Sequence, residues 1–141
     1  MGWNMKNFET VDEFLMKDHH PDTWADLYSG DAEEMLEELS DEEWEELHRV
    51  WRLRPAAWQD RLLDILGEVN PEGSVPILSE MVDTCPFNLS IKATITLNAM
   101  RDHYTPSRET LKLLRRQLEM ANHAFEREAL ESMIAWAESG T

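Results

Sequence analysis

Apolar residues recur at helical spacing along nearly the whole chain, and no stretch of five or more residues shows the strict alternation of a half-buried strand. The pattern predicts an all-α fold. Thr10 followed by Glu13 has the form of a capping box, opening a short helix with Val11, Phe14 and Leu15 on one side and His19, His20 and Pro21 at its end. A second short helix is expected around Trp24, Leu27 and Tyr28, closed by Ser29 and Gly30. A third is expected from Asp31 to Leu39, with Met35, Leu36 and Leu39 inward. Together these three read as an N-terminal helical cap over residues 1–39 of a single domain, 1–141.

From Ser40 the pattern changes to longer helices in pairs. Ser40 and Glu43 form another capping box, after which Trp44, Leu47 and Trp51 recur at i, i+3 and i+7. Pro55 stops that helix and starts the next, whose apolar positions are Trp58, Leu62, Ile65, Leu66 and Val69, with Gly67 as C-cap. After the turn Asn70-Pro71-Glu72-Gly73, a helix starting near Ser74 places Val75, Leu78, Met81 and Val82 on one face and Pro76 in its first turn. Leu89 to Met100 is apolar on nearly all sides, as expected of a central helix with neighbours around it. Thr105 is expected as N-cap and Pro106 as the first residue of the following helix, which aligns Leu111, Leu114, Leu118 and Ala121. The last helix aligns Phe125, Ala129, Met133 and Trp136.

The first helices of these pairs begin near Asp41, Ser74 and Ser107, 33 residues apart, and Trp58, Ile91 and Phe125 occupy equivalent places in the second helices. Periods of this length built from helix pairs mark α-solenoids. In Arg61-Leu62-Leu63-Asp64-Ile65-Leu66-Gly67 and the following Pro71-Glu72-Gly73-Ser74-Val75-Pro76-Ile77-Leu78, the chain resembles HEAT-like repeats. The resemblance implies a short α-solenoid of about three helix pairs over 40–141. It implies shape rather than activity, since such repeats serve scaffolds, inhibitors and some enzymes.

Composition fits a soluble globular chain: 42% hydrophobic, 30% charged, 5 Gly and 6 Pro in 141 residues. A chain of this size can bury roughly two thirds of the surface its unfolded form exposes. No run of 18 apolar residues occurs, and the polar start argues against a cleaved leader. With a single cysteine, Cys85, no internal disulfide is possible, so a cytoplasmic location is expected.

Charge changes the picture most. The formal net charge is -16, and between Asp18 and His48 there are 13 carboxylates and no Lys or Arg. Such a chain repels nucleic acid and anionic lipid and attracts basic partners. Asp31, Glu33, Glu34, Glu37, Glu38, Asp41, Glu42, Glu43, Glu45 and Glu46 place ten carboxylates in sixteen residues. Like-charge pairs at i, i+4, such as Glu34 with Glu38 and Glu42 with Glu46, each cost a helix about 0.2–0.5 kcal/mol. Either the run is a solvated face or it is a docking surface.

Other candidates are weaker. Trp44, Trp51, Trp58 and Trp136 are expected in the core. Trp3 and Trp24 are open to cap packing or an interface role. Asp18-His19-His20-Pro21-Asp22 contains metal-ligand residue types without ligand spacing, and His48, His103 and His123 share none, so no metal and no cofactor are expected. HExxH, GxSxG and phosphate-loop patterns are absent, and Cys85 has no activating neighbour in sequence; an enzyme is not expected. Arg108, Lys112, Arg115 and Arg116 form a basic stripe, read as a solvated, partly paired face.

In size, charge and helical-repeat character, the chain resembles the immunity proteins of bacterial polymorphic toxin systems, including contact-dependent inhibition and type VI secretion. The resemblance implies an inhibitor that binds a basic toxin domain, a nuclease, through its acidic surface, with Asp31, Glu34, Glu38, Asp41, Glu42, Glu45 and Glu46 as charge partners. The alternative is a HEAT-like adaptor gripping a host protein or peptide, whose binding would survive high salt. Membrane and direct nucleic-acid binding are not expected.

Overall fold

The computed structural model describes residues 4–17, 29–67 and 69–139. Among them it holds eight α-helices and no strand: α1 (Lys6–Met16), α2 (Ser29–Glu37), α3 (Asp41–Val50), α4 (Ala56–Leu66), α5 (Pro71–Thr84), α6 (Phe87–Ala99), α7 (Arg108–Met120) and α8 (Ala124–Ser139). The all-α expectation holds. The predicted helix around Trp24, the paired histidines and Trp3 lie outside the described residues. Two compact units divide the chain, Met1–Ser74 and Val75–Thr141, with the boundary inside α5.

In the first unit α1 packs against α2, α3 and α4, and α2 also packs on α4. The face of α1 that does this carries Phe8, Val11 and Leu15, all buried. The helix starts earlier than the Thr10 box predicts. Asn4 Oδ1 accepts from Lys6 N–H at 3.1 Å, and the Thr10 hydroxyl donates back to Lys6 O at 3.0 Å, a bond from mid-helix. The Ser40 box forms as expected: Ser40 Oγ accepts from Glu43 N–H (3.2 Å) and Glu43 Oε1 from Ser40 N–H (3.1 Å). Trp44, Trp51 and Trp58 are core side chains. Trp58 Nε1–H donates to Asp12 Oδ1 at 3.1 Å, and Asp12 is clasped by both Arg54 Nε and Nη2 at 2.8 Å. That fork ties the end of the α3 region to α1.

In the second unit α8 packs along both α6 and α7. Every α6 residue from Leu89 to Asn98 is buried or half-buried, which matches the central helix expected there. One of its buried hydroxyls joins helices: Ser90 Oγ donates to Val82 O at 2.6 Å and accepts from Gln117 Nε2 at 2.6 Å, linking α5, α6 and α7.

Three sequence expectations fail here. Ser107, not Thr105, caps α7, its Oγ accepting from Thr110 N–H at 3.1 Å, so the helix begins two residues later than Pro106. α5 begins at Pro71, because Gly73 and Ser74 N–H groups already find Asn70 O, and Pro76 therefore falls inside the helix rather than in its first turn. α8 is rotated relative to the expected stripe. Its inward residues are Ala129, Leu130, Met133, Ile134 and Ala137, while Phe125 is 69% and Trp136 39% exposed.

Candidate functional site

The acidic run folds into two helices of the first unit, separated by Leu39 and the Ser40 cap. The start of α2 carries no strong apolar signal, and its inward side is narrow, with Ala32 and Leu36 buried and Met35 half-buried. Its carboxylates, Asp31, Glu33, Glu34, Glu37 and Glu38 just beyond its end, are all exposed. The last turn tightens through Glu38 N–H to Met35 O and Leu39 N–H to Leu36 O. Asn7 Nδ2 on α1 donates to Glu38 O at 3.1 Å, which fixes where the end of α2 lies beside α1.

Between the two helices is a solvent-open groove of about 330 Å³, lined by Asn7 and Thr10 from α1 and by Asp31, Glu34, Met35 and Glu38. Three carboxylates spaced roughly one turn apart form one wall, and no Lys or Arg lines it. A half-buried thioether and two neutral polar side chains complete it. Such a groove concentrates negative potential and attracts a cation, while Met35 gives an adaptable apolar contact for an aliphatic stem.

The structure brings Asp31, Glu34 and Glu38 together and distributes the remaining candidates along α3. There Asp41 and Glu45 are exposed at i, i+4, and Glu42 and Glu46 are half-buried at the same spacing. Glu46 is already engaged: Arg49 Nε donates to Oε1 at 2.9 Å and Nη2 to Oε2 at 2.6 Å. This hydrogen bond holds the Glu46 carboxyl below its ordinary range; slight burial opposes the shift, and the charges of Arg49 and Arg54 add to it. To serve a foreign cation, Glu46 must exchange that partner. Glu43, in the middle of the run, is 3% exposed. Its Oε2 accepts from Phe8 N–H at 2.6 Å, so it fastens α3 to α1 instead of facing solvent.

Asn7, Thr10 and Met35 are the groove residues that sequence reasoning misses. The spacing of α1 leaves Asn7 unmarked and marks Thr10 only as a cap, because their role in the groove depends on tertiary placement beside α2. Elsewhere, no group of three or more His, Cys, Asp or Glu among the described residues could hold a metal ion. Cys85 is half-buried, and burial pushes its thiol upward, away from the reactive thiolate. The basic stripe is exposed, with Arg115 paired to Glu138 at 3.0 Å. No described helix is long and apolar enough to cross a membrane.

Comparison with known proteins returned no family profile, no curated protein and no solved structure that matches the chain.

Proposed function

We propose that this chain is a binding protein for a basic polypeptide, and that the carboxylate face of its first unit is the docking surface. Asp31, Glu34 and Glu38 receive the partner's cations in the α1–α2 groove, with Asp41, Glu42 and Glu45 extending the surface along α3. The observation that carries the reading is the groove itself: three exposed carboxylates on one wall with no cation lining it. The unit around it supports the same reading, with six Lys and Arg against twenty Asp and Glu over residues 1–74, a net of -14. Given the sequence's resemblance to immunity proteins of polymorphic toxin systems, the partner is a basic toxin domain, a nuclease, whose nucleic-acid cleft the acidic face occupies. Long-range attraction raises the encounter rate, and Met35 with neighbouring apolar surface supplies contact once the ions have paired.

The test is co-expression with the toxin domains encoded beside this gene, followed by association kinetics on the purified pair. Asp31→Lys, Glu34→Lys and Glu38→Lys in one variant should abolish protection and cut the association rate by about tenfold or more at low salt, with helical content unchanged. Glu109→Lys, Glu119→Lys and Glu128→Lys, an equal charge change on exposed positions of the second unit, should leave protection in place. Unchanged affinity in the first variant, or equal loss in both, would remove the groove from the mechanism.

A further inference from the structure

We propose that the flank of α8 beside α6 is a second docking strip, shaped for a partner-protein segment that carries a carboxylate next to apolar side chains, with Arg101 as receptor for the carboxylate. It is independent of the acidic face and lies wholly within the second unit.

Phe125, Ser132 and Trp136 stand at i, i+7 and i+11 on α8, on one face, with about 16 Å of helix rise between the two aromatics. Phe125 is 69% and Trp136 39% exposed, which leaves two aromatic surfaces unburied along one line. Arg101, from the short 3-10 turn Arg101–His103 after α6, reaches across to this line. Its guanidinium carbon sits 5.7 Å from the Trp136 ring centroid, within cation-π range. Nη1 donates to Asn98 Oδ1 and to Ser132 Oγ, each at 3.3 Å. Both bonds use the same nitrogen and both acceptors are neutral.

This arrangement sets Arg101 apart from the ion-paired arginines. Arg49, Arg54, Arg115 and Arg127 each face a carboxylate. In a chain with 29 Asp and Glu, Arg101 has no carboxylate partner, and its Nε–H and Nη2 edge makes no bond, among the described residues. That edge is the fork that accepts a planar carboxylate through two parallel bonds. The ring stack and the two Nη1 contacts hold the fork in one orientation, so little side-chain freedom remains to be lost on binding. A single guanidinium suits a carboxylate better than a phosphate dianion, which a chain of net charge -16 repels more strongly. The second unit, with seven Lys and Arg against nine Asp and Glu, opposes an acidic segment only weakly.

The geometry also fixes a spacing. An extended segment covers the distance from Trp136 to Phe125 in about five residues. The expected occupant therefore has an acidic residue beside an apolar one over Arg101 and Trp136, and a second apolar side chain about five positions away over Phe125.

The test uses the full chain and a synthetic peptide, acetylated and amidated, of sequence Phe-Ser-Ser-Ser-Leu-Glu, together with its Gln counterpart. In nitrogen-proton NMR spectra the Trp136 indole N–H, identified with Trp136→Phe, and the Arg101 Nε–H should shift on addition of roughly millimolar Glu peptide. The Gln peptide should bind about tenfold more weakly, the loss expected for a charge-assisted fork. Arg101→Gln should abolish the difference between the peptides. Phe125→Ser, at a position too exposed to disturb folding, should weaken both several-fold. Equal response to the two peptides, no response at millimolar concentration, or responses indifferent to both substitutions would overturn the proposal.

Discussion

The two units of this chain hold their helices together with different polar chemistry. In the first, ionisable groups are turned inward. Glu43 accepts main-chain hydrogen bonds from Phe8 and Ser40, and Asp12 takes an Arg54 fork and the Trp58 indole. In the second, the fully buried link is neutral, from Gln117 through Ser90 to Val82 O, while Asp83, which accepts from the Thr110 hydroxyl at 2.8 Å, is itself exposed. The first unit carries a net -14 and the second -2, yet the charge-rich unit is the one that depends on carboxylates for its own packing. A carboxylate buried with its hydrogen bonds satisfied is strongly oriented and costly to remove, whereas a neutral amide can be replaced by an apolar side chain of similar size with little loss. Surface charge and structural charge in the first unit are therefore separate sets, and mutations there must respect the division.

The largest expected effect tests that division directly. Glu43→Ala deletes half of the capping box and strands the Phe8 and Ser40 N–H groups, so urea unfolding should show a loss of about 3 kcal/mol. Gln117→Leu in the second unit should stay within about 1 kcal/mol of the parent. It removes a buried Oε1 that has no partner while leaving Ser90 Oγ bonded to Val82 O. A Gln117 variant that costs as much as the Glu43 variant would erase the distinction between the units.

A packing contrast inside the first unit comes next. An added Cβ at Gly73 would lie 2.5 Å from Trp44 Cδ2, against a ring that is itself 5% exposed and cannot swing aside. Gly73→Ala should therefore cost about 1–3 kcal/mol. Gly30, in α2, has nothing within 4 Å of such an atom, and Gly30→Ala should be neutral or slightly stabilising through helix propensity. The Trp44 fluorescence environment should change only in the Gly73 variant. Equal stabilities would mean that the indole does not rest on that backbone.

How far the sequence carried varied with how local each signal was. The six helices from Asp41 to Ser139, the Ser40 box and the buried Trp44, Trp51 and Trp58 were legible because each rests on spacing within one helix or on a cap contained in four residues. The α8 face was not, since Phe125 and Trp136 make one apolar stripe, Leu130, Ile134 and Ala137 make another, and Ala129 and Met133 sit with either; α6 and α7 decide between them. Thr10-Val11-Asp12-Glu13 satisfies the capping-box pattern as well as Ser40 does, but Asn4 lies upstream and starts the helix first. The acidic candidates were visible as a run. That Glu43 faces inward and that Asn7, Thr10 and Met35 complete a groove depend on α1, some thirty residues away in sequence, whereas Glu46 is paired by Arg49 three residues on, within α3.

The smallest effect separates the paired carboxylate from its free neighbours. Arg49 keeps the Glu46 carboxyl below its ordinary range, so this pair's contribution to stability is present above the usual carboxylate range and fades as pH falls through the lowered value. Because Arg49 is solvent-exposed, the stability change on its removal should be slight. Arg49→Ala should return the Glu46 titration, followed by carbon NMR of its carboxyl, to the ordinary range. It should also remove the cation hydrogen-bonded to Glu46 on α3 and so raise, at low salt, the rate at which a basic partner associates. An Arg49 variant that shifts the Glu46 titration without changing that rate would show that α3 lies outside the docking surface, and would confine recognition to the α1–α2 groove.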